Sequence, residues 1–366
     1  MNATGILGTG SYLPSEVVTN EEVGRGAGVT DEWITRKTGI RERRRAPDHQ
    51  ATSDLAAAAA ERALAQAGVR PDQVRYLVVA TSTPDHPQPA TANLVQHLIG
   101  AVNAAAFDVN AVCSGFVYAL TVAHRLVDAL DAGAGAEPGY ALVVGADIYS
   151  RIIDHSDRRT AALFGDGAGA VVLGRSREGS DLGGILATSL VSRGDQHRLI
   201  GVAAGGSRLP ASARTVAEGA HHFRMDGRGV REFVAENLPG AVGRLLARAG
   251  VRPEEVRHFV PHQANGVMLR EVWPALRLDN ATLQLTVESQ GNTGAASVPV
   301  ALDTVHRRGQ LEEGDLVLLC AFGGGMSLGS TLVRWGRTRP VIAARRAGAV
   351  PAGVPAAART PVGVAG

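Results

Sequence analysis

The chain has 366 residues, of which 45% are hydrophobic and 45 are glycine. That length is enough to bury a large core, and it predicts two domains or one duplicated domain. The formal net charge of +2 is too small to favour nucleic acid as a partner. Two cysteines without a metal-type cluster predict neither a disulfide framework nor a metal site, and they favour a reducing compartment, the cytoplasm. Because no apolar run approaches about 20 residues and no basic, apolar leader is present, we expect no membrane association.

The first half of the chain alternates predicted strands and helices. Apolar runs predict strands over residues 6–12, 74–80, 104–109, 140–145 and 171–173. Apolar periodicity predicts one helix that begins after Thr30 and others over residues 54–67, 90–99 and 116–130. Ser53 is the predicted N-cap of the helix at 54–67. Residues 164–170, Phe-Gly-Asp-Gly-Ala-Gly-Ala, are a predicted glycine-rich turn before the last strand.

The second half of the chain repeats the first. Residues 69–78, Val-Arg-Pro-Asp-Gln-Val-Arg-Tyr-Leu-Val, match residues 251–260, Val-Arg-Pro-Glu-Glu-Val-Arg-His-Phe-Val, and Ala-Gly precedes both. Such self-similarity predicts duplication. We expect two α/β halves, residues 1–178 and 179–335, with mixed sheets packed around a pseudo-twofold axis. Residues 336–366 are rich in Arg, Ala, Gly and Pro without periodicity, which predicts a disordered tail.

Cys113 is the first candidate functional residue. It follows the predicted strand at 104–109 and opens the predicted helix at 116–130. Free N–H groups and the positive end of the helix dipole favour a thiolate there, so the pattern predicts a nucleophile near neutral pH. The alternative is a small buried hydrophobe, as most free cysteines are. Cys320 lies inside an apolar predicted strand, and we expect its thiol to be inert.

Three further turns follow predicted strands or open predicted helices. His262 follows the strand at 256–260, and Asn292 lies between glycines ahead of a helix. Residues 322–327, Phe-Gly-Gly-Gly-Met-Ser, follow another strand, and glycines there let backbone N–H groups approach a ligand oxygen. Each residue alone is more often structural. Because a duplicated α/β fold brings its strand ends to one cleft, we expect Cys113, His262 and Asn292 to meet there.

Taken together, these motifs resemble the β-ketoacyl-acyl-carrier-protein synthase III family of the thiolase superfamily. The resemblance covers residues 3–335 and rests on Asn-Ala-Val-Cys-Ser-Gly at 110–115, Pro-His-Gln-Ala-Asn at 261–265, Gly-Asn-Thr-Gly-Ala-Ala-Ser at 291–297 and Ala-Phe-Gly-Gly-Gly at 321–325. It implies a thiolase-like fold with αβαβα layers, a homodimer and no cofactor. It also implies acyl-CoA as the acyl donor and malonyl-acyl carrier protein as the extender.

The resemblance further implies a role for each candidate residue. Cys113 would take the acyl group, while the N–H groups of Cys113 and Gly324 would bind the oxyanion. His262 and Asn292, as neutral donors, would stabilise the enolate that forms when a malonyl thioester loses carbon dioxide. The implied substrate-binding residues are Trp33 and Arg151 at the CoA adenine, Lys37 near the CoA phosphates, Phe322 as an apolar wall at the malonyl carboxylate, and Gln88, Arg228 and Asn265 along the substrate path.

The chain departs from this family at four positions. Gln88, Arg228, Val267 and Leu328 stand where phenylalanine, asparagine, arginine and tryptophan are usual. Because the first three map to the acyl-tunnel mouth, the pantetheine arm and the carrier approach, we expect an enzyme that starts fatty acid or polyketide chains in a specialised pathway, with an atypical acyl group or a dedicated partner. Two alternatives stay open. One is an acyltransferase of this family that moves an acyl group to a hydroxyl, amine or thiol without condensation, and the other is a non-catalytic partner subunit of a synthase complex.

Overall fold

The structure, a computed structural model, describes residues 4–130, 139–175 and 183–336. The strands in these ranges are β1 Thr4–Tyr12, β2 Glu16–Thr19, β3 Glu42–Arg45, β4 Val74–Ala80, β5 Ala105–Val109, β6 Tyr140–Ile148, β7 Asp166–Arg175, β8 Gly183–Ser192, β9 Ile200–Val202, β10 Phe223–Met225, β11 Val256–Pro261, β12 Thr282–Leu283, β13 Leu316–Gly323 and β14 Ser327–Trp335. The α-helices are α1 Asn20–Ala27, α2 Asp31–Thr38, α3 Thr52–Ala67, α4 Thr91–Ile99, α5 Gly115–Asp128, α6 Arg158–Ala161, α7 Ala213–Ala217, α8 Gly227–Ala249, α9 Gly266–Val272, α10 Val287–Gln290 and α11 Ser297–Arg307.

Two large sheets have the same strand order and the same strand directions. The first runs β5-β4-β6-β7-β1 and the second runs β12-β11-β13-β14-β8. In each sheet the first three strands are parallel, and the last two each pair antiparallel with the preceding strand. The predicted duplicated α/β fold with mixed sheets is therefore confirmed. All strands of the first sheet lie within residues 4–175, and all strands of the second lie within residues 183–335.

Helices cover both faces of each sheet and separate the two sheets. Between the sheets lie α5 and α11, whose side chains, including Phe116 and Val298, share one buried cluster with Val143 of β6 and Leu319 of β13. The outer face of the first sheet is covered by α3 and α4. The outer face of the second sheet is covered by α8 and α9. The layers therefore follow the order αβαβα, as the resemblance implied.

The predicted start of α3 is wrong because the predicted cap has another partner. The helix begins at Thr52, one residue before Ser53. The backbone N–H and the hydroxyl of Ser53 both donate to the Asp85 carboxylate, at 2.9 and 2.6 Å. Asp54 instead accepts the N–H of Ala51 at 2.7 Å and satisfies the helix start.

The glycine-rich segment at 164–170 is mostly strand and not a turn. β7 begins at Asp166, and its glycines allow α11 to lie directly against the sheet. A Cβ on Gly169 would lie 2.7 Å from the backbone N of Val300. The glycines of this segment therefore serve close packing of a helix on a strand.

Two remaining predictions concern membranes and the chain end. Within the described ranges, no helix is both long and apolar enough to span a membrane. The predicted tail begins at Gly336, and residues 337–366 lie outside the described residues.

Candidate active site

Cys113 lies on a sharp turn between β5 and α5. A single 3-10 turn, Val112–Ser114, joins the two elements, and Cys113 is only 5% exposed. Val112 has a φ of +48°, a left-handed conformation that costs a non-glycine residue on the order of 1–3 kcal/mol. Gly115 permits close packing after the turn, because a Cβ there would lie 3.2 Å from the Ala80 Cβ on β4. The turn thus places the sulfur at the carboxyl ends of the parallel strands.

The prediction that Cys113 is a thiolate near neutral pH is wrong. Burial raises the pKa of the Cys113 thiol to about 12, and the negative charge of Asp147 acts in the same direction. Hydrogen bonds from the Tyr149 hydroxyl and from the backbone N–H of Cys113 lower the pKa by less than burial raises it. Cys113 therefore rests as a thiol and loses its proton as it attacks.

Asp147 and Tyr149 both act on the pKa of the Cys113 thiol, although no sequence motif singles them out. Both follow the apolar core of β6 and both are fully buried. Asp147 accepts hydrogen bonds from the Ser82 N–H at 2.9 Å and from the Ala295 N–H at 2.7 Å. The Tyr149 hydroxyl lies 2.8 Å from the Ser82 hydroxyl. Their position after a predicted strand was the one available signal, because strand ends face the cleft.

His262 is a buried, neutral imidazole at the end of β11. Burial lowers the pKa of His262 to about 3. Its Nδ1 lies 2.6 Å from the hydroxyl of Ser297, the first residue of α11, and that hydroxyl accepts the Gln263 N–H at 3.3 Å. The Ser297 oxygen accepts this N–H and can give its own proton to Nδ1, and in that arrangement the imidazole proton lies on Nε2. His262 then offers a donor away from Ser297.

Asn292 is fixed by its own backbone and by the glycine turn that follows. Its N–H donates to the Leu163 carbonyl at 2.8 Å, and its carbonyl accepts the Gly165 N–H at 3.0 Å. The side-chain Oδ1 accepts the Gly294 N–H at 2.9 Å. The Nδ2 group therefore stays available as a donor, and Asn292 lines a cavity of about 210 Å³.

The glycine segment after β13 lies against the cysteine turn. A Cβ on Gly323 would lie 2.7 Å from the backbone N of Cys113, so only glycine allows this approach. The Ser114 and Ser327 hydroxyls lie 2.6 Å apart and join the two segments, with Gly324 between Gly323 and Ser327 in the chain. The arrangement keeps the backbone of Gly324 close to the cysteine turn.

Intermediate residues connect the surroundings of Cys113 with His262 and with Asn292. The Phe322 ring lies 5.2 Å from the His262 ring, edge to face, and the next residue packs on the Cys113 backbone. On the other side, the Gly294 turn that holds Asn292 packs on Tyr149, where a Cβ would lie 2.5 Å from the Tyr149 ring. Phe322 is thus an apolar wall beside His262.

The cavity that Asn292 lines also holds three of the predicted substrate-binding residues. Trp33, Lys37 and Asn265 line it, and the Asn265 amide donates to the Lys37 carbonyl at 3.1 Å. The cation over the Trp33 ring is Arg158, whose guanidinium carbon lies 5.8 Å from the ring centroid. The indole and the guanidinium suit the two faces of a planar heterocycle.

The prediction that Arg151 shares this cavity is wrong. Its guanidinium donates to the backbone carbonyls of Pro47 and Gln50 at 3.0 and 2.6 Å. It lines a different cavity, next to Ser82. The arginine at Trp33 is Arg158, which belongs to the motif Asp-Arg-Arg at 157–159 and directly follows Asp157, the N-cap of α6.

A larger basin of about 1030 Å³ adjoins the Trp33 cavity, and Met225 and Gly227 line both. Its lining includes four arginines, which are Arg159, Arg198, Arg224 and Arg228. Arg224 pairs with Asp154 at 3.2 Å. Within the ranges that the structure describes, Arg159, Arg198 and Arg228 form no ion pair with an acid. Arg228 therefore lines the basin, whereas Gln88 is exposed on the loop before α4.

The first half supplies the nucleophile, Cys113, and the second half supplies an imidazole, His262, and an amide, Asn292. A duplicated α/β fold with these three groups at its strand-end turns defines a class of proteins. The chain is an acyl-transferring condensing enzyme of the thiolase type. The neutral amide of Asn292, where the triad of a serine hydrolase carries a carboxylate, separates this class from serine hydrolases. Among the described residues, no group of three or more His, Cys, Asp and Glu is arranged to hold a metal ion.

Comparisons with known proteins identify the family. The models for 3-oxoacyl-[acyl-carrier-protein (ACP)] synthase III and for its C-terminal region match residues 107–194 and 246–335. The chain is 54% identical over 332 residues to the acetoacetyl CoA synthase NphT7 of Streptomyces sp. (strain CL190), covering 90% of this chain and 98% of that one. It is 47% identical to the β-ketoacyl-[acyl-carrier-protein] synthase III of Rhodospirillum centenum (strain ATCC 51521 / SW), with the same coverage of 90% and 98%.

Solved structures agree with this assignment. The 3-oxoacyl-[acyl-carrier-protein] synthase III of Aquifex aeolicus VF5 matches with a TM-score of 0.80 and 36% identity, covering 91% of this chain and 100% of that one. The priming β-ketosynthase of the R1128 polyketide pathway matches with a TM-score of 0.81 and 32% identity, covering 91% and 97%. The chain therefore belongs to the β-ketoacyl-acyl-carrier-protein synthase III family of the thiolase superfamily.

Proposed function

We propose that the protein condenses a short acyl group from acyl-CoA with a malonyl thioester, with loss of carbon dioxide, through an acyl-Cys113 intermediate. The observation that carries this proposal is that His262 and Asn292 are both held as neutral donors, by Ser297 and by the Gly294 N–H. A simple acyltransferase needs the cysteine but has no use for two fixed donors at an enolate. Condensation uses all three groups.

The first half-reaction loads Cys113. The sulfur attacks the thioester carbonyl, and its proton ends on the departing CoA sulfur, so the step is balanced without another acid. The backbone N–H groups of Cys113 and Gly324 suit the developing oxyanion, because Gly323 brings the two segments together.

The second half-reaction uses His262 and Asn292. The Nε2–H of His262 and the Nδ2–H of Asn292 donate to the malonyl thioester carbonyl, and they stabilise the enolate formed as carbon dioxide leaves. Phe322 beside His262 gives an apolar surface where a carboxylate is poorly solvated. The carbanion then attacks the acyl carbon on Cys113 and releases the sulfur.

An aromatic cluster favours a short acyl group. The Tyr149 ring stacks on Phe164 at 4.4 Å and meets Phe223 edge to face at 5.4 Å. Because Tyr149 is fully buried and acts on the pKa of Cys113, we infer that these rings leave room for only a short acyl group. Gln88 is exposed on the loop before α4, so within a single chain it provides no polar lining for a functionalised acyl group. We therefore propose an acetyl-sized donor in place of the functionalised group that the sequence suggested.

Coenzyme A is the proposed carrier of both substrates. Lys37 and the three basin arginines suit its phosphates, and the Trp33–Arg158 pair suits its adenine. Two observations favour CoA over acyl carrier protein as the carrier of the malonyl group. Val267 stands where the family usually has an arginine that contacts acyl carrier protein. The Streptomyces relative is named for an acetoacetyl-CoA product. The family name favours malonyl-acyl carrier protein as the second candidate extender. Because thiols stay reduced in a reducing compartment, we propose that the enzyme works in the cytoplasm.

We also propose a homodimer. β5 is an edge strand of the first sheet, and its Phe107 is only partly buried. Next to it in the chain, α4 and the following loop expose Leu98 and Val102, which are 49% and 75% accessible. An unpaired edge beside exposed apolar side chains suits a second copy of this chain.

The proposed function is tested by separating its half-reactions. We expect acetyl-CoA to acylate Cys113 in His262→Ala and Asn292→Ala much as in the wild type, while malonyl-CoA decarboxylation falls about 100-fold, the usual cost of one lost oxyanion-type donor. Peptide mass mapping locates the acyl group, and Cys320→Ala is the control because the Cys320 thiol is buried and donates to Ser330 at 3.2 Å. Malonyl groups on CoA and on acyl carrier protein, and acyl-CoAs of increasing length, are compared in the same assay. Normal decarboxylation in both variants would refute condensation by this route.

A further inference from the structure

Two segments with strained backbone meet at the nucleophile. One is the cysteine turn, residues 111–114, in which Val112 has a φ of +48°. The other is the glycine segment, residues 323–327, in which Met326 has a φ of +46°. A residue with a side chain keeps such a left-handed conformation only when its surroundings hold it there. The two segments therefore need contacts that fix one against the other.

Backbone packing sets the closest approach of the two segments. A Cβ on Gly323 would lie 2.7 Å from the backbone N of Cys113, and a Cβ on Gly324 would lie 2.9 Å from Cγ2 of Val112. Because the segments are already packed against each other, they cannot move closer together. Packing alone resists separation only weakly, since each pair of touching atoms contributes little attraction.

A pair of buried hydroxyls joins the two segments. Ser114 Oγ lies 2.6 Å from Ser327 Oγ, and the two residues are 0% and 4% exposed. Ser114 Oγ also lies 2.7 Å from the Ala111 carbonyl of its own segment. Ser327 Oγ lies 3.0 Å from the Gly324 carbonyl of its own segment. Within the described part of the chain, every hydrogen bond between the cysteine turn and the glycine segment involves the Ser327 hydroxyl.

The two hydroxyl protons allow one continuous chain of hydrogen bonds. A distance of 2.6 Å between the oxygens requires one proton between them. When Ser114 donates to Ser327, the Ser327 proton goes to the Gly324 carbonyl. In the opposite direction, the Ser114 proton goes to the Ala111 carbonyl. Either direction leaves one hydrogen bond across the junction, and that bond limits how far the segments can separate.

We propose that Ser114 and Ser327 are positioning residues for the oxyanion, because they set the spacing between the backbone N–H groups of Cys113 and Gly324. In the loading step, the sulfur bonds to the thioester carbon and the carbonyl electron pair moves to oxygen. That pair returns as the bond to the CoA sulfur breaks, and the proton passes from Cys113 to CoA. The oxyanion exists only between these events, so its two donors must be correctly spaced in advance. The inference rests on the proposed function, which takes these N–H groups as the donors.

The test compares two reactions of Cys113 in the same protein. Acetyl-CoA acylates the sulfur through an oxyanion, whereas methyl methanethiosulfonate transfers a methylthio group to it without forming one. Because both reactions need the same thiolate, a change in its exposure or acidity affects both. The ratio of the two rates, read by mass mapping of the Cys113 peptide, therefore reports on oxyanion binding. We expect the ratio to fall about tenfold in Ser327→Ala and in Ser114→Ala, less than the cost of removing a donor outright.

Ser330→Ala is the matched control. Ser330 is a buried serine on the same strand, and its hydroxyl accepts from the Cys320 thiol at 3.2 Å. We expect its ratio to match the wild type. The unfolding temperatures of Ser114→Ala and Ser327→Ala should stay near the wild-type value, because the hydroxyl that remains keeps a backbone acceptor.

The double variant decides whether the two hydroxyls act as a pair. Because Ser114→Ala and Ser327→Ala remove the same hydrogen bond, combining them should give about the same ratio as either change alone. Effects that multiply in the double variant, or ratios that stay at the wild-type value in both single variants, would overturn the inference while leaving the proposed function intact. A wild type that acetyl-CoA does not acylate would refute the proposed function, and with it the oxyanion role of the two serines.

Discussion

His262 and Asn292 show how a neighbouring group decides which atom a side chain offers to a substrate. Imidazole and amide each carry a donor and an acceptor, and residue type alone does not say which one faces the cleft. Ser297 occupies Nδ1 of His262, and the Gly294 N–H occupies Oδ1 of Asn292. Both side chains therefore present N–H groups, which is the requirement for binding an enolate oxygen.

The pKa of His262 has a consequence for stability. Its ordinary pKa of 6.5 is lowered to about 3 by burial in the folded protein, so only the unfolded chain takes up the proton between these values. Stability from this group is fully present above pH 6.5 and is lost as the pH falls. Between pH 7.5 and pH 5 we expect the loss to be about 2 kcal/mol.

His262→Asn is the reference, because it removes the titrating group and keeps a side chain that can bond Ser297. Urea unfolding at pH 7.5, 6 and 5 should show the wild type losing its free energy of unfolding faster than the variant. A difference between the two proteins that stays constant over this range would show that His262 does not titrate as described.

At the scale of elements, glycine sets how closely helices lie on strands. In β1, a Cβ on Gly10 would lie 2.4 Å from the backbone N of Ala63 and 2.5 Å from the carbonyl of Ala59, both on α3. The close approach of α3 to β1 therefore depends on both the small alanine side chains of the helix and the glycines of the strand. Neither atom belongs to a flexible side chain that could move away.

We expect Gly10→Ala to lower the free energy of unfolding by about 1–3 kcal/mol, the usual cost of overpacking a core. Gly243→Ala is the matched control. It lies on the exposed face of α8, where a Cβ would meet nothing within 4 Å. There we expect a gain of up to about 1 kcal/mol from helix propensity. Equal effects of the two substitutions, measured by chemical denaturation, would contradict this packing account.

At the scale of the whole molecule, the active site depends on the contact between the two halves. β6 of the first half meets the turn before α11 of the second half at Gly145, where a Cβ would lie 2.4 Å from the Ala295 carbonyl. The Ala295 N–H donates to Asp147, so the contact also orients the carboxylate below Cys113. Neither half alone would assemble this environment.

The proposed dimer makes a prediction at the same scale. Leu98→Glu combined with Val102→Glu places charge on the surface beside the β5 edge, and we expect it to yield monomers in analytical ultracentrifugation. Val216→Glu is the control, because Val216 is 67% exposed on α7, away from β5 in the chain. A double variant that stays dimeric would place the interface elsewhere.

Local patterns in the sequence predict much of the fold. Apolar runs and caps located most of the strands and helices of the first half, because those signals are made by neighbouring residues in the chain. The repeat between residues 69–78 and 251–260 predicted the duplication, which in turn predicted that Cys113, His262 and Asn292 would meet. Short motifs at turns were enough for this, since turn residues are specified locally.

Tertiary structure decided what depends on partners distant in the chain. Ser53 bonds Asp85 instead of capping α3, and Arg158 takes the place at Trp33 that the sequence assigned to Arg151. The helix start alone predicted a thiolate at Cys113, whereas burial, which no local pattern measures, raises the pKa of its thiol to about 12. Long-range packing sets desolvation and hydrogen-bond partners, so the reactivity of a side chain is fixed only when the chain has folded.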